Sequence, residues 1–281
     1  MMGIKIAIQG ELGSFSHQAA RQMLPAADAR QEIVPCALSA EVFERLAAGT
    51  VDAAVIPIEN SLAGPVAEHY DLLLKHDVEI VSESRLRIRH NLIAAPGTRL
   101  EDLVEVYSHP VALAQCRQFF VTHTHLRALP YYDTAGAVKY AVRQEGRYMA
   151  GIASEQAAAE YGGEILAAGI EDNAENYTRF HVLRRLGDAS LASDAAVPDK
   201  MSLAFSVAHR PGTLVAALER LAAHQVDLTK IESRPVPGRP WEYIFYVDIR
   251  YASPEMADAA LQALQAHCPM VKQLGRYRAA S

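Results

Sequence analysis

The chain has 281 residues, half of them apolar and about a fifth charged, which is ordinary for a globular protein of about two domains. Its net charge of −6 and its lack of a basic run argue against a nucleic-acid partner. Eleven His without zinc-type spacing predict no metal site, and three widely spaced Cys favour a reduced compartment over a disulfide framework.

The first residues are typical of a strand rather than a signal peptide, and no apolar run approaches the ~18 residues of a membrane span. We therefore expect a cytoplasmic protein without membrane association.

Short apolar runs alternate with helical patterns over the first two-thirds of the chain. The predicted order is strand 4–9, helix 16–24, strand 32–36, helix 40–49 and strand 52–59. Ser39 is the predicted N-cap of the second helix. The stretch 78–95 is too long for one ordinary strand. The alternation of strands and helices predicts a parallel sheet with helices on both faces.

A second α/β set follows, with a strand at 105–108, a helix from Pro110, a helix over 134–145 and a strand at 148–154. The two sets predict two lobes, with the chain crossing between them near 79–90 and again near 155–165. Open α/β sheets bind ligands at the carboxyl ends of their strands. We therefore expect a ligand cleft at those ends.

The pattern changes after a small, polar and Pro-containing stretch at 187–200, which predicts a linker. Beyond it the order is strand, helix, hairpin, helix and strand, with Ser253 and Pro254 starting the second helix. This order predicts a ferredoxin-like βαββαβ domain. We place the first domain at 1–187, the linker at 188–199 and the second domain at 200–281.

The loop after the first strand, QGELGSFSHQAA, joins it to the first helix. Gly10 and Gly13 allow a tight turn, and the N–H groups at such a helix start can hold an anion. The third Gly of the dinucleotide fingerprint is missing, so a nicotinamide cofactor is not expected.

Hydroxyl, amide and imidazole side chains recur where predicted strands end or helices begin. They are Ser14, Asn60, Ser61, Ser108, His109 and Thr134. Gln115 lies nearly on the core face of its helix, where a polar side chain needs a partner. Thr178 and Arg179 stand together where a loop enters a strand. Taken singly, each position is equally well explained by a helix cap or a solvated strand start.

Seven stretches occur in one order: GELGSFSHQAA, PIENSLAG, YSHPVALAQC, DTAGAVKYA, IASEQAAAEYG, NYTRF and ESRPVPGRPWEYIFYVD. With this combination, almost the whole chain resembles prephenate dehydratase with a carboxyl-terminal ACT regulatory domain. The resemblance implies a two-lobed catalytic domain, like that of periplasmic binding proteins, followed by a ferredoxin-like ACT domain. It also implies conversion of prephenate to phenylpyruvate, carbon dioxide and water without a metal or organic cofactor. Many relatives carry a chorismate mutase domain in front; because this chain begins at its first strand, we expect a monofunctional enzyme.

The same resemblance assigns the active-site positions. It places the catalytic Thr at Thr178 and other active-site positions at Asn60, Ser108 and Gln115. We expect Thr178 to meet the leaving hydroxyl group and Arg179 to meet a substrate carboxylate. The expected substrate-binding residues are Ser14, Ser61, His109 and Thr134.

The second domain is expected to bind phenylalanine as an effector. The family's G-A-L-V stretch falls on Gly212, Thr213, Leu214 and Val215, with Thr in place of Ala, and its E-S-R-P stretch on Glu232, Ser233, Arg234 and Pro235. Pairing of such domains predicts a homodimer or homotetramer. Two alternatives stay open: an arogenate dehydratase, and a non-catalytic amino-acid sensor.

Overall fold

A computed structural model describes residues 3–24, 31–144, 148–188, 197–236 and 241–280. The strands are β1 (Ile4–Gln9), β2 (Gln31–Cys36), β3 (Ala53–Asn60), β4 (Gly64–Pro65), β5 (Val78–Arg87), β6 (Asn91–Ala94), β7 (Glu105–Ser108), β8 (Arg127–Pro130), β9 (Met149–Ala153), β10 (Glu164–Ala168), β11 (Tyr177–Arg185), β12 (Lys200–Ser206), β13 (Asp227–Pro235), β14 (Tyr243–Arg250) and β15 (Met270–Tyr277). The helices are α1 (Phe15–Met23), α2 (Ser39–Ala47), α3 (Ala67–Lys75), α4 (Pro110–Ala114), α5 (Arg117–Thr122), α6 (Thr134–Arg143), α7 (Glu155–Tyr161), α8 (Thr213–Ala223) and α9 (Pro254–His267). The chain divides into a larger unit, residues 1–66 and 85–180, and a smaller unit, residues 67–84 and 181–281.

The first sheet of the larger unit is built on β1, which pairs in parallel with β2 on one side and β3 on the other. The apolar side chains of Ile6, Ile8 and Val55 are fully buried in its core. The short β4 returns antiparallel to the end of β3. Because the three long strands are parallel, Gln9 and Asn60 lie at the same edge of the sheet, the edge at which open α/β sheets bind ligands.

The second sheet of the larger unit has the strand order β10-β6-β9-β7-β8. Its strand β7 pairs in parallel with β8 and β9, while β6 runs antiparallel to β9. Helix α6 packs so closely on β9 that a Cβ atom at Gly151 would lie 2.7 Å from the backbone nitrogen of Val138. Glycine at 151 therefore allows α6 to lie this close to β9, and so helps to position the residues that begin this helix.

The smaller unit contains an antiparallel sheet of order β13-β14-β12-β15, built in the sequence β12-α8-β13-β14-α9-β15. This is the ferredoxin-like arrangement. Alternate residues of β12, among them Leu203 and Phe205, are fully buried with Leu221 of α8 and Leu264 of α9. The apolar side chains at every second position of β12 thus face α8 and α9.

Residues 67–84 belong to the smaller unit, although the sequence analysis placed them in the first domain. Lys272 of β15 donates hydrogen bonds to the carbonyls of Leu73, Leu74 and His76 at the end of α3. A cation at a helix C-terminus is favourable, and this contact joins segments about 200 positions apart that no local pattern connects. Most of the predicted linker, residues 189–196, lies outside the described residues, so the predicted domain bounds stay a prediction.

The predicted α/β class is confirmed, as is the βαββαβ order of the carboxyl-terminal part. The long stretch at 78–95 is divided as expected, since β5 ends at Arg87 and β6 begins at Asn91. The predicted N-cap Ser39 is wrong, because Ser39 is the first residue of α2 and the Glu41 carboxylate accepts from the backbone N–H of Ala37 instead. Among the helices of the described ranges, none is long and apolar enough to cross a membrane.

Candidate active site

A cavity of about 750 Å³ opens in the larger unit, within the usual size range of small-molecule sites. We call it the larger cavity. Its polar lining comes mostly from strand ends and helix starts: Gln9, Glu11, Ser14, Ser16, Asn60, His90, His109, Gln115, Tyr132, Asp133, Thr134 and Thr178. Rings and aliphatic groups such as those of Phe15, Ile88 and Phe180 complete the lining. The cavity lining therefore combines polar side chains with some apolar surface.

Asn60 is the centre of a hydrogen-bonded network at one side of the cavity. Its Oδ1 accepts from the backbone N–H groups of Leu62 at 3.0 Å and Ala63 at 2.8 Å. These two bonds fix the amide so that Nδ2 donates to Thr178 Oγ1 at 3.0 Å and to Asn176 Oδ1 at 2.7 Å. The Thr178 hydroxyl oxygen is thus already an acceptor, which leaves its own proton for a group inside the cavity.

Gln115 extends this network to His90. Its Oε1 accepts from Asn176 Nδ2 at 2.9 Å and lies 2.9 Å from His90 Nε2. Since Oε1 is an acceptor, the network assigns the His90 proton to Nε2. Burial lowers the pKa of His90 below its ordinary value of 6.5 and outweighs the opposing influence of Gln115 and Glu171. His90 is therefore neutral near pH 7 and acts as a fixed hydrogen-bond donor.

Thr178 and Arg179 point in different directions because they are neighbours on a strand. Alternate residues of β11, Thr178 and Phe180, line the cavity, whereas Arg179 does not. The Arg179 Nε atom lies 2.9 Å from Glu59 Oε1, and the Arg179 side chain is only 7% exposed. The structure thus does not bring Arg179 to the cavity, where the sequence analysis expected it to meet a carboxylate.

Three helices begin at the cavity. Ser14 caps α1 by accepting from the His17 N–H, His109 Nδ1 accepts from the first turn of α4, and Asp133 Oδ1 accepts from the Gly136 N–H at 2.7 Å at the start of α6. The first N–H groups of a helix lack intrahelical acceptors and carry partial positive charge. These helix starts therefore offer N–H groups and local partial positive charge that suit the carboxylates of a ligand.

Two carboxylates, those of Glu11 and Asp133, also belong to the lining. Glu11 accepts from Lys139 Nζ at 2.8 Å and from the Tyr132 hydroxyl at 2.7 Å. Burial opposes ionisation of Glu11, but these hydrogen bonds outweigh it and lower the pKa of Glu11. At Asp133, by contrast, burial raises the pKa of the carboxyl group. Among the described residues that line the cavity there is no Arg or Lys side chain.

A family model described as prephenate dehydratase matches residues 6–187, which include every residue of this lining. The chain belongs to the prephenate dehydratase family. It is 39% identical over 289 residues to arogenate dehydratase/prephenate dehydratase 2 of Arabidopsis thaliana, covering 98% of this chain and 72% of the relative. Among solved structures it is similar to a prephenate dehydratase from Arthrobacter aurescens in complex with L-Phe, with 31% identity, a TM-score of 0.87 and coverage of 98% and 90%. It is also similar to GqqA, described as a novel type of quorum quenching acylase, with 33% identity, a TM-score of 0.86 and coverage of 98% of both chains.

The cytoplasmic location expected from the sequence is contradicted by the relatives. Several curated members of the family at 38–39% identity, all from Arabidopsis thaliana, are chloroplastic proteins. The expectation rested partly on cysteine usage, and Cys36, Cys116 and Cys268 are indeed free and buried. Free thiols indicate a reducing environment, which is not unique to the cytoplasm.

The structure brings most of the expected active-site residues of this prephenate dehydratase family member to the larger cavity: Thr178, Asn60, Gln115, Ser14, His109 and Thr134. Ser108 is fully buried outside the lining, where its hydroxyl donates to the carbonyl of Ile152 at 2.6 Å. The Ser61 hydroxyl donates to the Glu175 carbonyl and accepts from the Tyr177 N–H. Ser108 and Ser61 therefore hold the backbone around the site rather than face its interior.

Sequence reasoning missed several residues of the site. The sequence analysis did not name Asn176, which lies two residues before Thr178, and its burial next to Asn60 follows only from the fold. His90 carried no local signal, because a single His after a strand is common. Asp133 was not among the expected site residues.

A smaller cavity of about 200 Å³ lies in the smaller unit. The expected effector residues Gly212, Thr213, Leu214 and Val215 line it, together with the aromatic side chains of Trp241, Tyr243 and Phe245. The second expected stretch, Glu232, Ser233, Arg234 and Pro235, is not part of this lining. Arg234 instead forms an ion pair with Asp71 of α3 at 2.7 Å. Of the two stretches that the family resemblance groups at one site, only the first therefore lines this cavity.

Replacing Asn176 with Ala is expected to lower kcat about tenfold, the scale of one lost buried hydrogen bond. The change removes the bonds to Asn60 and to Gln115, so both amides can turn away from Thr178. Steady-state kinetics on the two variants Asn176→Ala and Asn173→Ala would test this. Asn173 is an exposed residue of the same loop and serves as the control. An unchanged kcat in a folded Asn176→Ala protein would show that the network does not position Thr178.

Proposed function

We propose that this chain catalyses the decarboxylating dehydration of prephenate or of its transaminated counterpart, arogenate. The observation that carries the proposal is the fixed Thr178 hydroxyl in the larger cavity, held by Asn60 and supported by Asn176 and Gln115. Family membership gives the reaction class, and this geometry supplies a group suited to its difficult step.

The reaction must expel a hydroxyl group from a ring carbon. Loss of the ring carboxylate as carbon dioxide leaves an electron pair that moves through the ring and pushes out the opposite hydroxyl, which leaves as water once protonated. The ring becomes aromatic in the same process. A hydrogen bond from Thr178 to the departing oxygen strengthens as negative charge develops there, so it stabilises the transition state more than the bound substrate.

The charge of the lining fits the rest of the substrate. Prephenate carries two carboxylates, and the helix starts at Ser14 and Thr134 provide N–H groups and partial positive charge for them. Around Thr178 the side chains of Asn60, Asn176 and Gln115 are neutral amides. A carboxylate in their place would repel the ring carboxylate, whereas amides hold polar groups without that cost.

We also propose that phenylalanine regulates the enzyme through an ACT-type carboxyl-terminal domain in residues 200–281. The similar Arthrobacter aurescens structure is a complex with L-Phe, which supports an effector of this kind. The smaller cavity combines the turn at Gly212 with three aromatic side chains, a lining suited to a small aromatic amino acid. The edge strand β13 exposes Leu228 and Ile231, which supports assembly into a dimer or tetramer.

Product analysis tests the proposed reaction. The purified chain, without added cofactor, is incubated with prephenate and separately with arogenate, and phenylpyruvate and phenylalanine are quantified by chromatography. Formation of either aromatic product at a rate proportional to enzyme concentration supports the proposal. Binding of phenylalanine by calorimetry without turnover of either substrate would instead show a non-catalytic amino-acid sensor.

A further inference from the structure

We propose that Asp133 determines the substrate specificity of this site by binding the ammonium group of arogenate. The inference rests on the proposed function, since it assigns a side chain of the same cavity to one of the two substrates. Arogenate differs from prephenate only in its side chain, which carries an α-ammonium group where prephenate has a keto group. A residue that selects arogenate must therefore recognise its positively charged ammonium group.

The charges of the cavity lining favour the ammonium form. The described lining holds two carboxylates, Glu11 and Asp133, and no Arg or Lys. Glu11 is neutralised from outside the lining by Lys139, at 2.8 Å. No described Lys or Arg forms an ion pair with Asp133, so a bound cation would offset the burial that disfavours its negative charge. Prephenate, a dianion, is repelled by that charge, whereas arogenate offers a cation to it.

The position of Asp133 is fixed, as a recognition residue requires. Its Oδ1 accepts from the Gly136 N–H at 2.7 Å, which ties the side chain to the first turn of α6. Its Oδ2 faces the backbone of Gly10, where a Cβ atom would lie only 2.7 Å away. Gly10, with φ of +95°, therefore leaves the space that the carboxylate occupies. Because Asp133 is held before the ligand arrives, binding a cation costs little ordering of the side chain.

The shape of the substrate agrees with this placement. In both substrates the ring hydroxyl and the side chain are attached to opposite carbons of the ring. A substrate whose hydroxyl meets Thr178 therefore directs its side chain away from Thr178 and Asn60, into the remainder of the same cavity. The lining of this cavity includes the starts of α1 and α6, which offer N–H groups to the side-chain carboxylate and the Asp133 carboxylate to the ammonium.

The test is the ratio of kcat/KM for arogenate to kcat/KM for prephenate in Asp133→Asn. Asn caps helices as well as Asp does, so the start of α6 is kept while the charge is removed. The kcat/KM for arogenate is expected to fall about tenfold to a hundredfold, the range for a hydrogen bond to a charged group, while that for prephenate does not fall. Asp102→Asn removes an equal charge from an exposed position outside the lining and is expected to leave the ratio unchanged.

The outcomes separate the two proposals. The inference is supported if the wild type prefers arogenate and the ratio of kcat/KM for arogenate to kcat/KM for prephenate is reduced in Asp133→Asn. Wild-type preference for prephenate, or an equal loss for both substrates in Asp133→Asn, overturns the inference and leaves the proposed reaction intact. If neither substrate is converted, the proposed function fails, and the inference fails with it. Should Asp133→Asn not fold, Asp133→Ser, which also caps a helix, is measured in the same way.

Discussion

Replacement of Thr178 with Val is expected to lower kcat by about 10²- to 10³-fold, the range observed when one donor to a developing oxyanion is removed. Val has the shape of Thr without the hydroxyl, so the cavity keeps its form while the leaving hydroxyl group loses its donor. KM should change much less than kcat, because the hydrogen bond is stronger in the transition state than in the bound substrate.

Thr178→Ser is the matched control. It keeps a hydroxyl that can accept from Asn60 Nδ2 and donate into the cavity, and so should retain most of the activity that Thr178→Val loses. Rapid-quench measurement of the first turnover for both variants separates the chemical step from product release. Equal first-turnover rates for the Val and Ser variants would remove the Thr178 hydroxyl from the mechanism.

Replacement of Lys200 with Met is expected to destabilise the protein by about 3–5 kcal/mol, the cost of leaving buried charges without their partner. Lys200 is almost fully buried in the smaller unit, where its Nζ lies 2.8 Å from Glu83 and 3.5 Å from Asp248. Both carboxylates are themselves buried. Urea unfolding of the intact chain gives the loss, and Arg99→Met, which breaks an exposed pair with Asp102, should cost much less.

The same cluster makes stability depend on pH. Burial opposes ionisation of Glu83, but His181 and Lys200 outweigh it and hold the pKa of Glu83 well below its ordinary value of 4.5. A lowered folded-state pKa contributes stability that is complete above pH 4.5 and is lost as the pH falls below that value. The wild type should therefore lose more unfolding free energy between pH 7 and pH 3 than Glu83→Gln does. Equal losses, or a Lys200→Met protein as stable as the wild type, would contradict this description of the cluster.

The sequence predicted the order of elements well because the hydrophobic periods of this chain are clear. The carboxyl-terminal part has the predicted order of strands and helices, and α9 begins at Pro254 as its Ser-Pro start indicated. The position of α3 and the first part of β5 in the smaller unit was not predictable in this way. It depends on contacts such as Lys272 to the carbonyls at the end of α3, between segments about 200 positions apart.

Asn60 and Thr178, where a motif and a strand end coincide, both line the larger cavity as the sequence led us to expect, and their catalytic roles stay predictions. Arg179 lies outside this lining, because a motif groups adjacent residues whereas a strand sends their side chains to opposite faces. The substrate-facing role we infer for Asp133 had no separate signal, since a helix cap and a ligand-binding carboxylate look the same in a sequence. The two roles are distinguished only in the structure, where Asp133 and Glu11 line the same cavity and Glu11 is already paired with Lys139.

A crystal structure of the Thr178→Val protein with arogenate bound tests the central claim most directly, because the slowed reaction allows the substrate to be observed. We expect arogenate in the larger cavity, with its ring hydroxyl facing residue 178 and Asn60 and its ammonium group within hydrogen-bond distance of Asp133. Arogenate bound outside this cavity, or with its ring hydroxyl directed away from residue 178, would contradict the assignment of Thr178 to the leaving group.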